Sequence, residues 1–431
     1  MRRNFYITTY GCQMNQYDAG IVKEILKSAG YSPVADENEA DIILLLTCSV
    51  RKHAENRALG RLMSMKRKKD GQRIFGVLGC MAQNYKEELI SHYGADLVVG
   101  PDGYQHLPSL LANLLTTQPK MPQVWVGLNQ ECYDGIYPKA ESSSLVTGFV
   151  AIMRGCNNFC SYCIVPYVRG QERSKSPEQI TREIEILTQS GVKTITLVGQ
   201  NVLAYHYNGM DFGGLLKEVE KIPGVEWLRF ITAHPKDFSK EVITTLAGIK
   251  KFCPCIHLPL QSGSNRILAL MNRRYTKEEY LERIELARQY IPEVVFTTDI
   301  MVGFPTETED DFNQTKEMLE KIRFDFAYMF QYSPRPQTQA LTIKPEVDFA
   351  TGRRRLAKLI ALQSQITKEN NQKLIGQELE VMVEKHQTDQ SLARTKSNKV
   401  VVLDRLEPIG AILKVKIIGM RGWTLVGAKE P

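Results

Sequence analysis

At 431 residues the chain is too long for one ordinary hydrophobic core, so two or three domains are expected. Its 43% hydrophobic and 24% charged residues are those of a soluble globular protein, and no apolar run approaches the length of a membrane span. Nine cysteines, an odd number, argue against a secreted disulfide framework, and a formal net charge of +7 permits a nucleic-acid partner without demanding one. The start, Met1-Arg2-Arg3-Asn4-Phe5, enters a strand-like run directly with no signal-peptide pattern, so a cytoplasmic location is expected.

Residues 4–10 read as a strand that ends at Gly11-Cys12, followed by a helix with Ile21, Val22, Ile25 and Leu26 at helical spacing and Gly30 as its stop. Ile42-Ile43-Leu44-Leu45-Leu46 leads to Thr47-Cys48, then to a long basic helix through Arg61, Met65 and Lys69. Ile74-Phe75-Gly76-Val77-Leu78 ends at Gly79-Cys80, and Leu97-Val98-Val99 completes an alternating β/α pattern. Continuous apolar strands alternating with helices predict a Rossmann-like parallel sheet covered on both faces, over residues 3–118. Cys12, Cys48 and Cys80 each fall just past the carboxyl end of a strand, where open α/β sheets bind ligands. A buried free cysteine is a common small hydrophobe, but three in equivalent places read as a three-thiolate cluster site.

Residues 119–147, with Pro119, Pro122, Asp134-Gly135 and three serines, read as a linker carrying a strand near Val124-Trp125-Val126 and an incidental thiol, Cys132. From 148 to 367, six strand-like runs alternate with helices such as 177–190, with Ser176 as N-cap, and 277–290. This pattern predicts a partial (β/α)6 barrel with its site at the carboxyl ends of the strands. Residues 368–431 carry five short strand-like runs and predict a small antiparallel β-barrel, with Lys396, Lys399, Lys414, Lys416 and Arg421 interleaved.

The second domain begins with a strand that runs into Cys156-Asn157-Asn158-Phe159-Cys160-Ser161-Tyr162-Cys163. Soft thiolates suit zinc, copper(I) or iron–sulfur clusters, and a closed zinc site would want a fourth ligand that does not follow at the right spacing. Three thiolates on a four-iron cluster leave one iron open to a substrate or cofactor.

This Cys-x3-Cys-x2-Cys loop, with an aromatic (Tyr162) before its last cysteine, resembles that of the radical S-adenosylmethionine (SAM) enzymes. There the open iron is chelated by SAM, and one electron from the cluster cleaves the cofactor to methionine and a 5′-deoxyadenosyl radical. The resemblance extends along nearly the whole chain to the radical SAM methylthiotransferases. It is carried by Tyr10-Gly11-Cys12-Gln13-Met14-Asn15, Thr47-Cys48-Ser49-Val50-Arg51, Gly79-Cys80-Met81-Ala82, residues 153–170, Val198-Gly199-Gln200-Asn201, residues 257–265, residues 299–308 and Tyr332-Ser333-Pro334-Arg335-Pro336. Gln337 stands where the family usually has Gly.

The resemblance implies an N-terminal domain, a radical SAM core and a C-terminal TRAM domain. It implies two [4Fe–4S] clusters, on Cys12, Cys48 and Cys80 and on Cys156, Cys160 and Cys163, together with SAM. Gln13 and Met14 point to the branch that methylthiolates carbon 2 of N6-dimethylallyladenosine at position 37 of the tRNA anticodon loop. In that scheme sulfur rides on the auxiliary cluster, and SAM is both methyl donor and radical source. Other targets within the family are a threonylcarbamoyl-adenosine and a ribosomal protein aspartate; from another class, a non-catalytic iron–sulfur RNA-binding redox sensor is the rival.

By position after strands, the candidate SAM contacts are Gln200, Asn201, Gln261, Ser262, Gly263, Ser264, Asp299 and Gly303, and the family's cysteine-loop pattern adds Tyr162. Ser264 also reads as a plain N-cap. Lys66-Arg67-Lys68-Lys69 and Arg353-Arg354-Arg355 are candidate phosphate contacts. A low-potential electron donor of flavodoxin or ferredoxin type and a monomeric state complete the expectation, with Cys253 and Cys255 as packing residues.

Overall fold

The computed structural model describes residues 3–49, 52–67, 73–117, 119, 121–139 and 146–428. The first domain comprises β1 (Arg3–Thr9), α1 (Gln13–Ser28), β2 (Tyr31–Pro33), β3 (Ile42–Thr47), α2 (Lys52–Arg67), β4 (Ile74–Gly79), α3 (Cys80–Tyr85), α4 (Glu88–Ser91), β5 (Leu97–Val99), α5 (Leu107–Thr116) and β6 (Gln123–Trp125). Its six strands lie in the order β2-β1-β3-β4-β5-β6, all parallel. Every residue of β3 and β4 is buried, because the sheet is covered on both faces. Ile42, Leu44 and Leu46 pack with α1 and α5, while Ile43 and Leu45 pack with α2 and α3. The strand expected within the linker is β6, the last strand of this sheet, so the sheet extends past residue 118. The basic helix ends at Arg67; Lys68 and Lys69 lie outside the described residues, as do Val50 and Arg51.

The central domain runs β7 (Thr147–Ala151), β8 (Met153–Arg154), α6 (Val165–Arg169), β9 (Arg173–Ser174), α7 (Pro177–Gln189), β10 (Thr194–Val198), β11 (His206–Tyr207), β12 (Met210–Asp211), α8 (Phe212–Lys221), β13 (Trp227–Phe230), α9 (Lys240–Gly248), β14 (Cys255–His257), α10 (Asn265–Leu270), α11 (Lys277–Tyr290), β15 (Val295–Val302), α12 (Glu309–Ile322) and β16 (Phe326–Gln331). The six long strands form two parallel sheets, β13-β10-β7 and β14-β15-β16, joined by a single bridge between Leu228 and Phe252. Along β15, Phe296, Thr298, Ile300 and Val302 are buried, three of them in the core with the helices. Val295, Thr297, Asp299 and Met301 are half-buried on the opposite face. Strand β14 stops at His257 rather than running to Leu260, because Pro259 has no N–H to give to the ladder and Leu260 N–H donates instead to Thr298 Oγ1 at 2.9 Å.

Helix α13 (Phe349–Gln372) packs on β16 and carries the chain across residue 367 into the third domain, so a single helix serves both. There β17 (Glu378–Gln387), β18 (Gln390–Thr395), β19 (Val400–Leu403), β20 (Ile412–Arg421) and β21 (Thr424–Ala428) close into a barrel in the order β17-β18-β19-β21-β20. Every pairing in it is antiparallel except β19 with β21.

The barrel seals the amino-terminal ends of the central strands. Met382 packs with Val146, Trp227 and the fully buried Cys253, and Lys193 Nζ donates to Gly410 O at 2.8 Å. Arg229 donates to Thr395 O at 2.8 Å and to Lys396 O at 3.1 Å. Among the described residues no helix is long and apolar enough to cross a membrane. Replacing Arg229 with Leu removes both charge-assisted bonds and is expected to cost about 2–3 kcal/mol of stability, read as a lowered urea midpoint.

Candidate active site

In the first domain, β1, β3 and β4 deliver Cys12, Cys48 and Cys80 to one rim. Gly11, at φ 128°, lets the chain turn into α1; a Cβ there would collide with Cys48. Gly79, at φ 89°, likewise has no room for a side chain, since a Cβ would lie 2.7 Å from Thr47 O. The Cys12 thiol is pulled down to about 6 by its hydrogen bond with Cys48, against burial and with help from Arg169. Burial pushes the Cys80 thiol up, although Arg169 Nε donates to its Sγ at 3.2 Å.

In the central domain, Cys156 and Cys160 are buried and Cys163 half-buried. Gly155, at φ 76°, fits tightly over Gln171, and Cys156 N–H donates to Gly170 O at 3.1 Å. Asn272 Nδ2 holds the loop from outside, donating to Asn158 O at 3.2 Å and Phe159 O at 3.0 Å. Arg273, buried, donates from Nη1 to Cys160 Sγ at 3.3 Å and from Nη2 to Pro259 O at 3.0 Å. Burial raises the Cys156 thiol to about 11 and the Cys163 thiol to about 12.

The two cysteine-bearing domains pack together beside these thiols. Cys80 packs against Ile164, the residue after Cys163, and Val168. Asp18 of α1, fully buried, accepts from Arg154 Nη2 at 2.7 Å and from Arg169 Nη2 at 2.9 Å, each on a different carboxylate oxygen. Burial alone would raise the Asp18 carboxyl, but Arg154 and then Arg169 hold it below the usual carboxylate range. Further bridges flank this lock: Arg173 with Asp102 at 2.5 Å, Arg335 with Glu55 at 2.7 Å, and Tyr17 OH with Glu183 at 3.1 Å.

The residues nominated for SAM have mixed surroundings. Gln200 accepts the Gly155 N–H at 2.7 Å on its Oε1 and so braces the cysteine loop. Tyr162 OH lies 3.5 Å from Arg273 Nη1. Asp299 faces His257, with its Oδ2 3.3 Å from Nε2, on the half-buried side of β15.

Asn201 is buried and committed, donating to Asp237 at 2.7 Å and accepting from His234 N at 3.1 Å. Ser262 and Ser264 are buried as well: Ser262 Oγ accepts Ser264 N–H, and Ser264 Oγ donates to Asp311 at 2.5 Å and caps α10. Gly263 admits the backbone of α12, because a Cβ would lie 2.5 Å from Gln314 O and 2.6 Å from Thr315 Cα. Gln261 takes φ 69° and pairs with Ile300, and Gly303, at φ 71°, donates its N–H to Glu307. Glu307 is itself raised to about 7 by burial, which outweighs that bond and Arg355. Arg355 is buried between Glu307 and Glu309, which removes it as a phosphate contact; Arg353 and Arg354 remain exposed. Gln337 adopts φ 66°, the conformation for which Gly is preferred.

Asp18, Arg154, Arg169 and Arg273 carry no sequence signal that singles them out. Two of them, Arg154 and Arg169, lie within the stretch 153–170, but a lone arginine carries no periodic or spacing signal. Among the described residues, no three Cys, His, Asp or Glu side chains converge closely enough to chelate a single metal ion. Each set of thiols lies within electrostatic reach of its own members and has one thiol beside a buried guanidinium, a soft donor set that fits an iron–sulfur cluster, in which each thiolate takes one iron.

The fold defines the class of protein first. Residues 150–319 match the radical SAM superfamily, residues 4–100 the uncharacterized protein family UPF0004 and residues 372–428 the TRAM domain. The fold also resembles that of the radical SAM methyltransferase TsrM from Kitasatospora setae, with a TM-score of 0.58 at 13% identity over 79% of this chain and 74% of that one. The particular family follows from full-length relatives. The chain is 41% identical to the tRNA-2-methylthio-N(6)-dimethylallyladenosine synthase of Moorella thermoacetica, over 99% of this chain and 98% of the relative. It is 44% identical to the synthase of that name from Bacteroides fragilis, over 99% and 95%. The chain belongs to the family of these synthases.

Two outcomes test the site's electrostatics. Asp18→Ala strands two buried guanidiniums and is expected to destabilise the apo-protein by about 3–5 kcal/mol in chemical denaturation. Pulse alkylation of the apo-protein followed by mass spectrometry is expected to find Cys12 reacting with a midpoint near pH 6, with Cys156 and Cys163 protonated to about pH 11. The Cys12 thiolate is favoured by folding, so its contribution to stability is complete above pH 9.0 and is lost as pH falls through about 6.

Proposed function

We propose that this protein methylthiolates carbon 2 of N6-dimethylallyladenosine at position 37 of tRNA, in the cytoplasm and as a monomer. Its cysteine ligands would be Cys12, Cys48 and Cys80 for an auxiliary [4Fe–4S] cluster and Cys156, Cys160 and Cys163 for the radical SAM cluster. The observation that supports this reading is the contact of Cys80 with Ile164, next to Cys163, where the two cysteine-bearing segments pack together. When bound, the clusters and SAM supply sulfur, a methyl group and the radical that opens a C–H bond with no useful acidity. The chain's own part is to hold the two domains together through the buried Asp18, Arg154 and Arg169, and to limit water by burying Cys48, Cys80, Cys156 and Cys160.

Recognition of RNA is supported by an exposed aromatic cluster where β16 meets the third domain. Phe326 lies 4.9 Å from Tyr328 and 6.2 Å from Trp423, ring to ring, with Lys414, Lys416 and Arg421 along the neighbouring β20. Unpaired bases of a loop stack on such rings while cations meet the phosphates. Of the SAM contacts nominated from sequence, Tyr162, Gln200, Gln261, Asp299 and Gly303 are retained, since Asn201, Ser262, Gly263 and Ser264 serve the fold. Electrons would come from a flavodoxin- or ferredoxin-type donor.

Anaerobically reconstituted protein is expected to hold about eight irons, and about four after alanine replacement of either cysteine triad. Supplied with SAM, dithionite and an anticodon stem-loop bearing N6-dimethylallyladenosine, it is expected to yield the 2-methylthio nucleoside and 5′-deoxyadenosine by mass spectrometry. Product from a threonylcarbamoyl-adenosine loop and none from the prenylated one would overturn the substrate assignment.

A further inference from the structure

Arg169 is a residue of the central domain whose guanidinium sits in the cysteine rim of the first. Its Nε donates to Cys80 Sγ at 3.2 Å, and its Nη2 donates to Asn15 Oδ1 at 3.1 Å and to Asp18 Oδ2 at 2.9 Å. Asn15 Oδ1 in turn accepts from Cys12 Sγ at 3.9 Å, so one guanidinium reaches two of the three thiols, one directly and one through an amide. Its Nη1 is buried with no partner among the described residues. Arg154 and Arg169 share the single carboxylate of Asp18, so the buried group keeps one net positive charge beside the rim.

We propose that Arg169 is a positioning residue of the auxiliary cluster: its N–H to the Cys80 thiolate and its uncompensated charge raise that cluster's reduction potential, and they do so only when the two domains are docked through Asp18. The inference rests on the reading that Cys12, Cys48 and Cys80 hold a cluster. Reduction adds negative charge to a cluster, and hydrogen bonds to its sulfurs together with a nearby cation in a poorly screened site favour the more negative state. A guanidinium suits the task because it stays protonated and its planar fork can serve a sulfur and a carboxylate together. Supplying the donor from the other domain means that the first domain alone would hold a cluster of lower potential. A residue that merely locked the domains through Asp18 would leave the potential where it was.

The test uses the full chain with Cys156→Ala, Cys160→Ala and Cys163→Ala, so that only the Cys12/Cys48/Cys80 rim takes iron. The parent, Arg169→Met and Arg169→Lys are reconstituted anaerobically, and each is followed by redox titration with electron paramagnetic resonance. The midpoint is expected to fall in Arg169→Met at unchanged iron content, and to fall by less in Arg169→Lys, which keeps a cation but loses the fork. Should Arg169→Met fail to fold or to hold iron, Arg169→Lys decides: a midpoint equal to the parent's overturns the proposal. An iron-loaded parent with the same midpoint in both variants overturns the proposal alone. A parent that binds no iron overturns it together with the cluster assignment.

Discussion

One buried carboxylate organises the site. Asp18 would not stay ionised in an apolar interior by itself, since burial favours the neutral acid. Two guanidiniums on its two oxygens hold the charge, and both come from the other domain, one on each side of the cysteine loop. Burial of Asp18 is thereby coupled to docking of the domains, because neither Asp18 nor its arginines could be buried at low cost without the other. The rest of the interface is built likewise, from Arg173 with Asp102 and Arg335 with Glu55, so its specificity comes from paired charges rather than apolar area alone.

The two rims differ in character although each offers three thiols. The first is electropositive: Cys12 is lowered by Cys48 and Arg169, and Arg169 touches Cys80. The second is set by burial, with Cys156 and Cys163 raised and Cys160 in contact with the guanidinium of Arg273. Thiolate ligands must lose their protons to bind iron; in the first rim Cys12 is favoured as the thiolate whereas burial favours the protonated form of Cys80. Different surroundings for chemically similar ligands are how one chain can hold two clusters with separate tasks.

Several loop residues that look like cofactor contacts in sequence have partners within the fold. Ser262, Gly263 and Ser264 sit after a strand, with small and hydroxyl side chains suited to a ligand, yet Gly263 admits the backbone of α12 and Ser264 caps α10 through its bond with Asp311. Arg355, within a run of three arginines, is turned inward to Glu307 and Glu309. Local sequence gives residue type and phase but not whether a polar group faces solvent, a ligand or a partner helix; that depends on where the next element lands.

Residue order alone determined the three-domain plan, the parallel first sheet and the half-barrel, because continuous apolar strands alternating with helices have few ways to bury both faces. It also determined where the six cysteines fall, since strand ends and Cys-x3-Cys-x2-Cys spacing are local properties of the chain. Tertiary structure decided what holds the two rims together and tunes them. Asp18 meets Arg169 across 151 positions and Cys80 meets it across 89, and a contact between such distant residues leaves no mark in either neighbourhood. A single buried ion pair has no period, so only the packed fold reveals it.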